Sequence, residues 1–234
     1  MNVLLINGSP HKKGCTYTAL SEVAGQLEKN GIGSNIVHIG SKPIRGCIAC
    51  GACRETGLCV FDDAPVNECS GLLKAADGLI VGSPVYYAAP NGALCAFLDR
   101  LFYMKSGAYA YKPAAAVVSC RRGGASAAFD RLNKYFTISC MPIVSSQYWN
   151  SVHGNTPEEV RQDKEGLQIM RTLGDNMAWL LKWSPPRGPC PIRCGSRGHP
   201  RISSVRLNGK HDDGFAQAAP RYGPAFLGVR ALPS

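Results

Sequence analysis

The stretch Asn2-Val3-Leu4-Leu5-Ile6-Asn7-Gly8-Ser9-Pro10-His11-Lys12-Lys13-Gly14-Cys15-Thr16 joins an apolar run to a short turn and then to a helical pattern. The run Asn2–Ile6 shows no polar alternation within its apolar part, as expected of a strand covered on both faces in a parallel sheet. From Thr16 to Asn30 the apolar positions recur at helical spacing. A strand followed directly by a helix leaves a turn at the carboxyl end of the strand, the edge at which open parallel sheets bind ligands.

Working outward, the same alternation repeats. Strands are expected near Asn2–Ile6, Ser34–Ile39, Gly78–Gly82, Ala114–Ser119 and Pro142–Ser145. Helices are expected near Thr16–Asn30, Val66–Ala75, Asn91–Met104, Ala125–Thr137 and Pro157–Lys182. The last of these opens with Thr156 as N-cap, Pro157 at the first helical position and Glu158-Glu159 in the first turn. Strands alternating with helices in this way predict an α/β class, doubly wound, with five parallel strands.

Three turns then fall on one rim of that sheet. In the first, Ser9 and Thr16 offer hydroxyls, Gly14 permits close backbone approach, and the helix start offers unpaired N–H groups and a positive dipole end to an anion. His11, Lys12 and Lys13 add charge. The turn is neither a Walker A loop nor the glycine pattern of dinucleotide folds, so alone it indicates only an anion such as phosphate. In the second, Gly82-Ser83-Pro84-Val85-Tyr86-Tyr87-Ala88-Ala89-Pro90-Asn91-Gly92 sets two adjacent aromatics at a strand edge, a flat apolar wall suited to an isoalloxazine ring. In the third, Ser119-Cys120-Arg121-Arg122-Gly123-Gly124 exposes backbone donors, and Arg121 or Arg122 can stabilise negative charge on a reduced flavin. Taken singly, the tyrosines also suit core-edge packing and the arginines surface ion pairs.

On Gly8-Ser9-Pro10 with Gly14 and Thr16, Gly82-Ser83-Pro84-Val85-Tyr86-Tyr87, and Phe97-Leu98-Asp99-Arg100, the chain resembles the NAD(P)H-dependent FMN reductase branch of the flavodoxin-like superfamily over roughly residues 1–182. The resemblance implies a sheet of order 2-1-3-4-5 with FMN at the switch between the first and third strands. It also implies Ser9, His11, Cys15 and Thr16 around the phosphate, and Pro84, Val85, Tyr86, Tyr87 and Ala88 around the ring, with Arg121 and Gly123 on the third loop. His11 and Cys15 stand where that family more often has Arg and Asn. The implied reaction takes hydride from NADH or NADPH to N5 of FMN, and passes electrons to a quinone, a flavin, a nitro or azo compound, oxygen or a redox protein. A non-enzymatic carrier shuttling electrons between protein partners stays open beside it. A homodimer or homotetramer is the implied assembly.

Cys47-x2-Cys50-x2-Cys53-x5-Cys59, within the loop 44–63, is the most specific chemical signal in the chain. Four thiolates spaced by Ala49, Gly51, Ala52 and Gly57 can fold around one cubane. The first three match the start of a ferredoxin motif, while the fourth is neither at x3 nor followed by proline. The compact spacing resembles the iron–sulfur flavoproteins of the same superfamily, which pair FMN with a [4Fe–4S] cluster. Redox-active or unoccupied cysteines and a zinc site are the alternatives, zinc sites usually taking two separated pairs. Because the loop follows the second strand, it is expected on the same rim as the flavin loops. Cys69, Cys95, Cys120 and Cys140 lie in apolar segments and read as small core residues.

Before the last helix, Ser145-Ser146-Gln147-Tyr148-Trp149-Asn150-Ser151-Val152-His153-Gly154 brings Trp149 and His153 to the same rim as a second-tier pocket for nicotinamide or acceptor. Beyond residue 182 the composition turns to Pro, Gly and Arg, which predicts a flexible tail over 183–234 with Cys190 and Cys194 as incidental thiols. That tail carries eight Lys/Arg against two Asp, so it supplies +6 of the formal +10, and the rest of the chain is only mildly basic. The charge therefore argues against a nucleic-acid binder built on the folded body. No apolar run is long enough to span a membrane, and the start of the chain lacks a basic segment before its apolar run. A soluble, cytoplasmic protein is the expectation.

Overall fold

A computed structural model describes residues 1–183; the tail, with Cys190 and Cys194, lies outside the described residues. The elements run β1 (Asn2–Asn7), α1 (Cys15–Lys29), β2 (Gly33–His38), α2 (Cys53–Thr56), α3 (Val66–Ala75), β3 (Gly78–Tyr86), β4 (Ala89–Pro90), α4 (Gly92–Lys105), β5 (Ala114–Cys120), α5 (Ala125–Ile138), β6 (Ser151–His153), α6 (Pro157–Gln162) and α7 (Lys164–Trp183), with a single 3-10 turn at Ser106–Tyr109. The sheet order is β2-β1-β3-β5-β6, with β1, β2, β3, β5 and β6 parallel to their neighbours. The stub β4 folds back antiparallel on the end of β3. Without that stub the order is the expected 2-1-3-4-5.

Successive strand residues point to opposite faces, and each face has its own helices. Leu4, Ile6, Leu79, Val81, Ala116 and Val118 pack into one core with residues of α3, α4 and α5. Val3, Leu5, Ile80, Ala115 and Val117 pack into the other with α1, α6 and α7. β5 is buried along its whole length, which explains why Ala114–Ser119 reads as an uninterrupted apolar run. Among the described residues no helix is long and apolar enough to cross a membrane.

The fifth strand differs from the expectation. Residues 142–144 pair with the sheet through Ala114 N–H donating to Pro142 O and Val144 N–H donating to Ala114 O, both at 2.8 Å. The chain then leaves the sheet and returns as β6 at Ser151–His153, opposite Val118–Cys120. Asn150 bridges the gap: its Nδ2 donates to Ala116 O at 3.0 Å, and its carbonyl accepts from Val118 N–H at 2.9 Å. A buried side-chain amide thus closes the ladder where backbone is missing.

The last helix is also two helices. Asp163 ends α6 and starts α7, its carboxylate accepting from Gly166 N–H at 2.9 Å and from His153 N–H at 2.7 Å. It acts as an N-cap inside a segment whose apolar spacing runs straight through. Thr156 caps α6 as expected, accepting from Glu159 N–H at 3.3 Å.

Candidate functional site

The first loop is braced from within. Asn7 ends β1 fully buried; its Oδ1 accepts from Ser9 N–H at 3.1 Å and its Nδ2 donates to Lys12 O at 3.2 Å. Ser9 is buried, and its Oγ accepts from His11 N–H at 3.1 Å, so this hydroxyl shapes the turn. His38, at the end of β2, hydrogen-bonds Ser9 O through Nε2 at 2.8 Å. His11, Lys12 and Lys13 stay exposed around the rim. No side chain caps α1, whose N-cap is Gly14, so its leading N–H groups face the loop. Thr16, one residue into the helix, is buried and pairs its hydroxyl with that of Ser119 at 2.8 Å. That bond ties the first loop to the third. Cys15 Sγ lies 3.8 Å from Gly154 O, and burial pushes its thiol pKa up.

The second loop is tied to the first by Gly8 N–H donating to Gly82 O at 2.9 Å and Asn91 Nδ2 donating to Gly8 O at 2.7 Å. Gly82 has no room for a methyl, which would lie 2.8 Å from Leu20 and Thr16 side-chain atoms. Pro84 and Val85 are half-buried, while Tyr86 is exposed and Tyr87 fully so. Tyr87 and Ala88 both sit in the left-handed region, with φ of 50° and 57°. They form a two-residue turn between the paired Tyr86 and Ala89, a geometry that normally recruits Asn and Gly. Strain of this kind at a ligand rim is stored where the surroundings over-determine it. The third loop closes against this turn: a methyl on Gly124, whose φ is 87°, would lie 2.9 Å from Ala88 Cα. Arg121, Arg122 and Gly123 are exposed beside it.

Of the second-tier residues, His153 stands at the end of β6, half-exposed, with Nδ1 3.6 Å from Asp163. Trp149 and Tyr148 pack on each other with centroids 4.9 Å apart on the excursion that interrupts the fifth strand. Both are exposed.

The cysteine loop is held against α3 and α4. Cys47, Cys50, Cys53 and Cys59 line one solvent-open pocket whose other wall is Arg100, Tyr103 and Met104 of α4. Asn91, which holds the rim, precedes α4, and Arg100 stands nine residues further along that helix. The reason is a set of anchors reaching from the loop to α3 and α4. Asn67 of α3 brackets Cys59, accepting from its N–H at 2.8 Å and donating to its carbonyl at 3.0 Å. Arg100, with no exposed side-chain area, pairs with Asp63 at 2.5 Å and donates to Phe61 O at 2.7 Å. Burial works to raise the Asp63 carboxyl, but the Arg45 amide and the Arg100 guanidinium outweigh it and hold it below the usual range. Ala49, Gly51 and Gly57 take left-handed conformations that turn the loop sharply back on itself.

Residues 1–156 match the family described as NADPH-dependent FMN reductase. The chain belongs to this FMN reductase family. An iron–sulfur flavoprotein of Methanocaldococcus jannaschii is 30% identical over 191 residues, covering 78% of this chain and 98% of that protein. One of Methanosarcina thermophila is 29% identical over 187 residues, covering 78% and 96%. The solved structure of a flavodoxin, WrbA-like protein from Agrobacterium tumefaciens superposes with a TM-score of 0.55 at 16% identity, covering 77% of this chain and 97% of that one, and shares the fold. The architecture is flavodoxin-like.

The residues of this FMN reductase family member fit a flavin mononucleotide. An uncapped helix start and two buried hydroxyls suit its phosphate, and exposed Tyr86 and Tyr87 suit its ring. For the cysteine loop the donor set fits a cluster, since four thiols line one pocket. As placed, however, no three Cys, His, Asp or Glu side chains among the described residues form a group able to hold a metal ion.

Sequence reasoning placed Asn7, Asn91 and Ser119 in the rim turns without giving them their bracing roles, and missed His38. Asn7 and Asn91 left a signal, a polar residue closing an apolar run and an Asn directly before a helix. His38 left none, because its partner Ser9 is brought to it only by the pairing of β2 with β1.

Proposed function

We propose that this protein is an NADPH oxidoreductase that holds FMN at the rim formed by loops 8–16, 82–91 and 119–124, and passes electrons to a quinone, a flavin, a nitro or azo compound, or a redox protein. Bound FMN would supply the redox chemistry, accepting hydride from NADPH and releasing electrons to the acceptor. The observation that carries this reading is the hydroxyl pair of Thr16 and Ser119, which joins two of the three loops beside the uncapped start of α1. In this reading the α1 N–H groups and Thr16 hold the phosphate, with His11 and Cys15 flanking it. Pro84, Val85, Tyr86, Tyr87 and Ala88 hold the ring, and Gly123 lets it approach. Arg121 stabilises negative charge on the reduced ring system. Trp149 and His153 bound the pocket for the nicotinamide or the acceptor. No side chain is required as a general acid or base.

Cys47, Cys50, Cys53 and Cys59 would hold a [4Fe–4S] cluster, which supplies one-electron transfer. The names of the iron–sulfur relatives and the single pocket lined by all four thiols support this. The same pocket favours a second reading, a carrier that exchanges electrons only with protein partners. Anaerobic mixing of the FMN-loaded protein with NADPH separates the two. Rapid bleaching of the flavin is the expected result, and a flavin that dithionite reduces but NADPH does not would leave the carrier.

A further inference from the structure

Cys59 stands apart from the other three cysteines because a buried cation is fixed against it. Arg100 is the largest fully buried side chain among the described residues. Its Nε–H donates to Cys59 Sγ at 3.2 Å. Three further N–H groups are engaged: Nη1 donates to Asp63 Oδ1 at 2.5 Å and to Arg45 O at 3.3 Å, and Nη2 donates to Phe61 O at 2.7 Å. The planar fork also lies over the Phe61 ring, 5.4 Å from its centroid. With four of its five N–H groups engaged and no exposed side-chain area, the guanidinium is held against the sulfur. At Cys47 the corresponding contact is a neutral one, from Ala49 N–H at 3.4 Å.

We propose that Arg100 is a positioning residue that sets the reduction potential of a cluster held by the cysteine loop, through a charged hydrogen bond to the Cys59 sulfur. This rests on the [4Fe–4S] reading of that loop. Potentials of such clusters follow the local net charge and the hydrogen bonds to the ligating sulfurs. A fixed cation donating to one sulfur favours the reduced, more negative state and raises the potential. Asp63 partly cancels the cation, so the two residues act in opposite senses. Arg100 also clamps the loop by holding Arg45 O and Phe61 O, and a test must separate that structural part.

Two conservative variants do so. Arg100→Lys keeps the cation facing Asp63 but loses the Nε–H and the fork. Asp63→Asn keeps Arg100 beside Cys59 and removes the counter-charge. In redox titrations of the full chain, reconstituted anaerobically with iron and sulfide and followed by electron paramagnetic resonance, Arg100→Lys is expected to lower the cluster potential. The expected size is about tenfold in the one-electron equilibrium constant, or 59 mV. Asp63→Asn is expected to raise it. A loss of loop structure alone would move both variants the same way, and that result overturns the inference, as does a wild-type potential in both. If Arg100→Lys does not fold, the direction of the Asp63→Asn shift decides. A wild-type chain that binds flavin but no iron or sulfide overturns the cluster reading, and this inference with it, while leaving the FMN site standing.

Discussion

Thr16 is the residue on which the rim depends most, because its hydroxyl holds Ser119 while its backbone opens α1. Thr16→Val keeps the shape and removes that bond, leaving the Ser119 hydroxyl buried without this partner. The expected loss is about 1–3 kcal/mol in stability, read by urea unfolding. FMN affinity should fall by roughly tenfold, equivalent to about 1.4 kcal/mol, read by flavin fluorescence. The left-handed pair at Tyr87 and Ala88 gives a second test with opposite signs. Ala88→Gly should stabilise by about 1 kcal/mol by relieving the left-handed backbone. Gly124→Ala should destabilise by about 2 kcal/mol or more, since its φ is left-handed and its methyl meets Ala88 Cα. Equal effects in denaturant melts of the two variants would contradict the packing of the second loop on the third. Tyr86 and Tyr87 were legible in the sequence because adjacent aromatics before a turn are unusual. Their backbone conformation was not, since nothing in Tyr-Ala announces a turn that prefers Asn-Gly.

At the scale of elements, Asp163 divides the C-terminal helical segment and holds the end of β6. Asp163→Ala should cost about 1–2 kcal/mol through the lost cap, and Asp163→Asn should recover most of it in thermal melts. The apolar period across Pro157–Lys182 hid this break, because a capping Asp fits an amphipathic pattern as readily as a solvent-facing one. The fifth strand was misplaced for a related reason. Pro142–Ser145 has the apolar content of a strand, but the closing contact comes from the Asn150 side chain, a tertiary event without local signature. β1, β2 and β5 and the starts of β3, α3 and α5 fall within a residue of where the pattern puts them. For β1, β3 and β5 the reason is burial on both sheet faces, which writes itself directly into composition, whereas β3 runs on to Tyr86 and the stub β4 was not anticipated. α3 also carries a pH test. Burial pushes the Cys69 thiol up to about 12 from 9.0, so the folded protein keeps a proton that the unfolded chain releases. Stability is then whole below pH 9 and falls as pH rises towards 12, by up to about 4 kcal/mol. Tyr109 shifts the same way through burial. Thermal melts across that window should show a shallower decline in Cys69→Ala than in wild type.

Over the whole molecule, α4 connects the two chemically marked regions. Asn91 holds the loop rim before its first residue, and Arg100 lines the cysteine pocket nine residues later, about 13 Å along the axis. Reading the cysteine loop as a rim element followed from its place after β2. The pairing of Arg100 with Asp63, 37 residues apart, anchors it on α4. The four cysteines themselves were plain from spacing, whereas the cation against Cys59 required the fold. On the proposed function, the rim binds FMN and NADPH reduces it there. The most direct measurement is anaerobic titration of the flavin-loaded protein with NADPH while the flavin absorbance is followed. The bound flavin is expected to bleach as NADPH is consumed. A flavin that stays oxidised in excess NADPH, yet bleaches with dithionite, would contradict it.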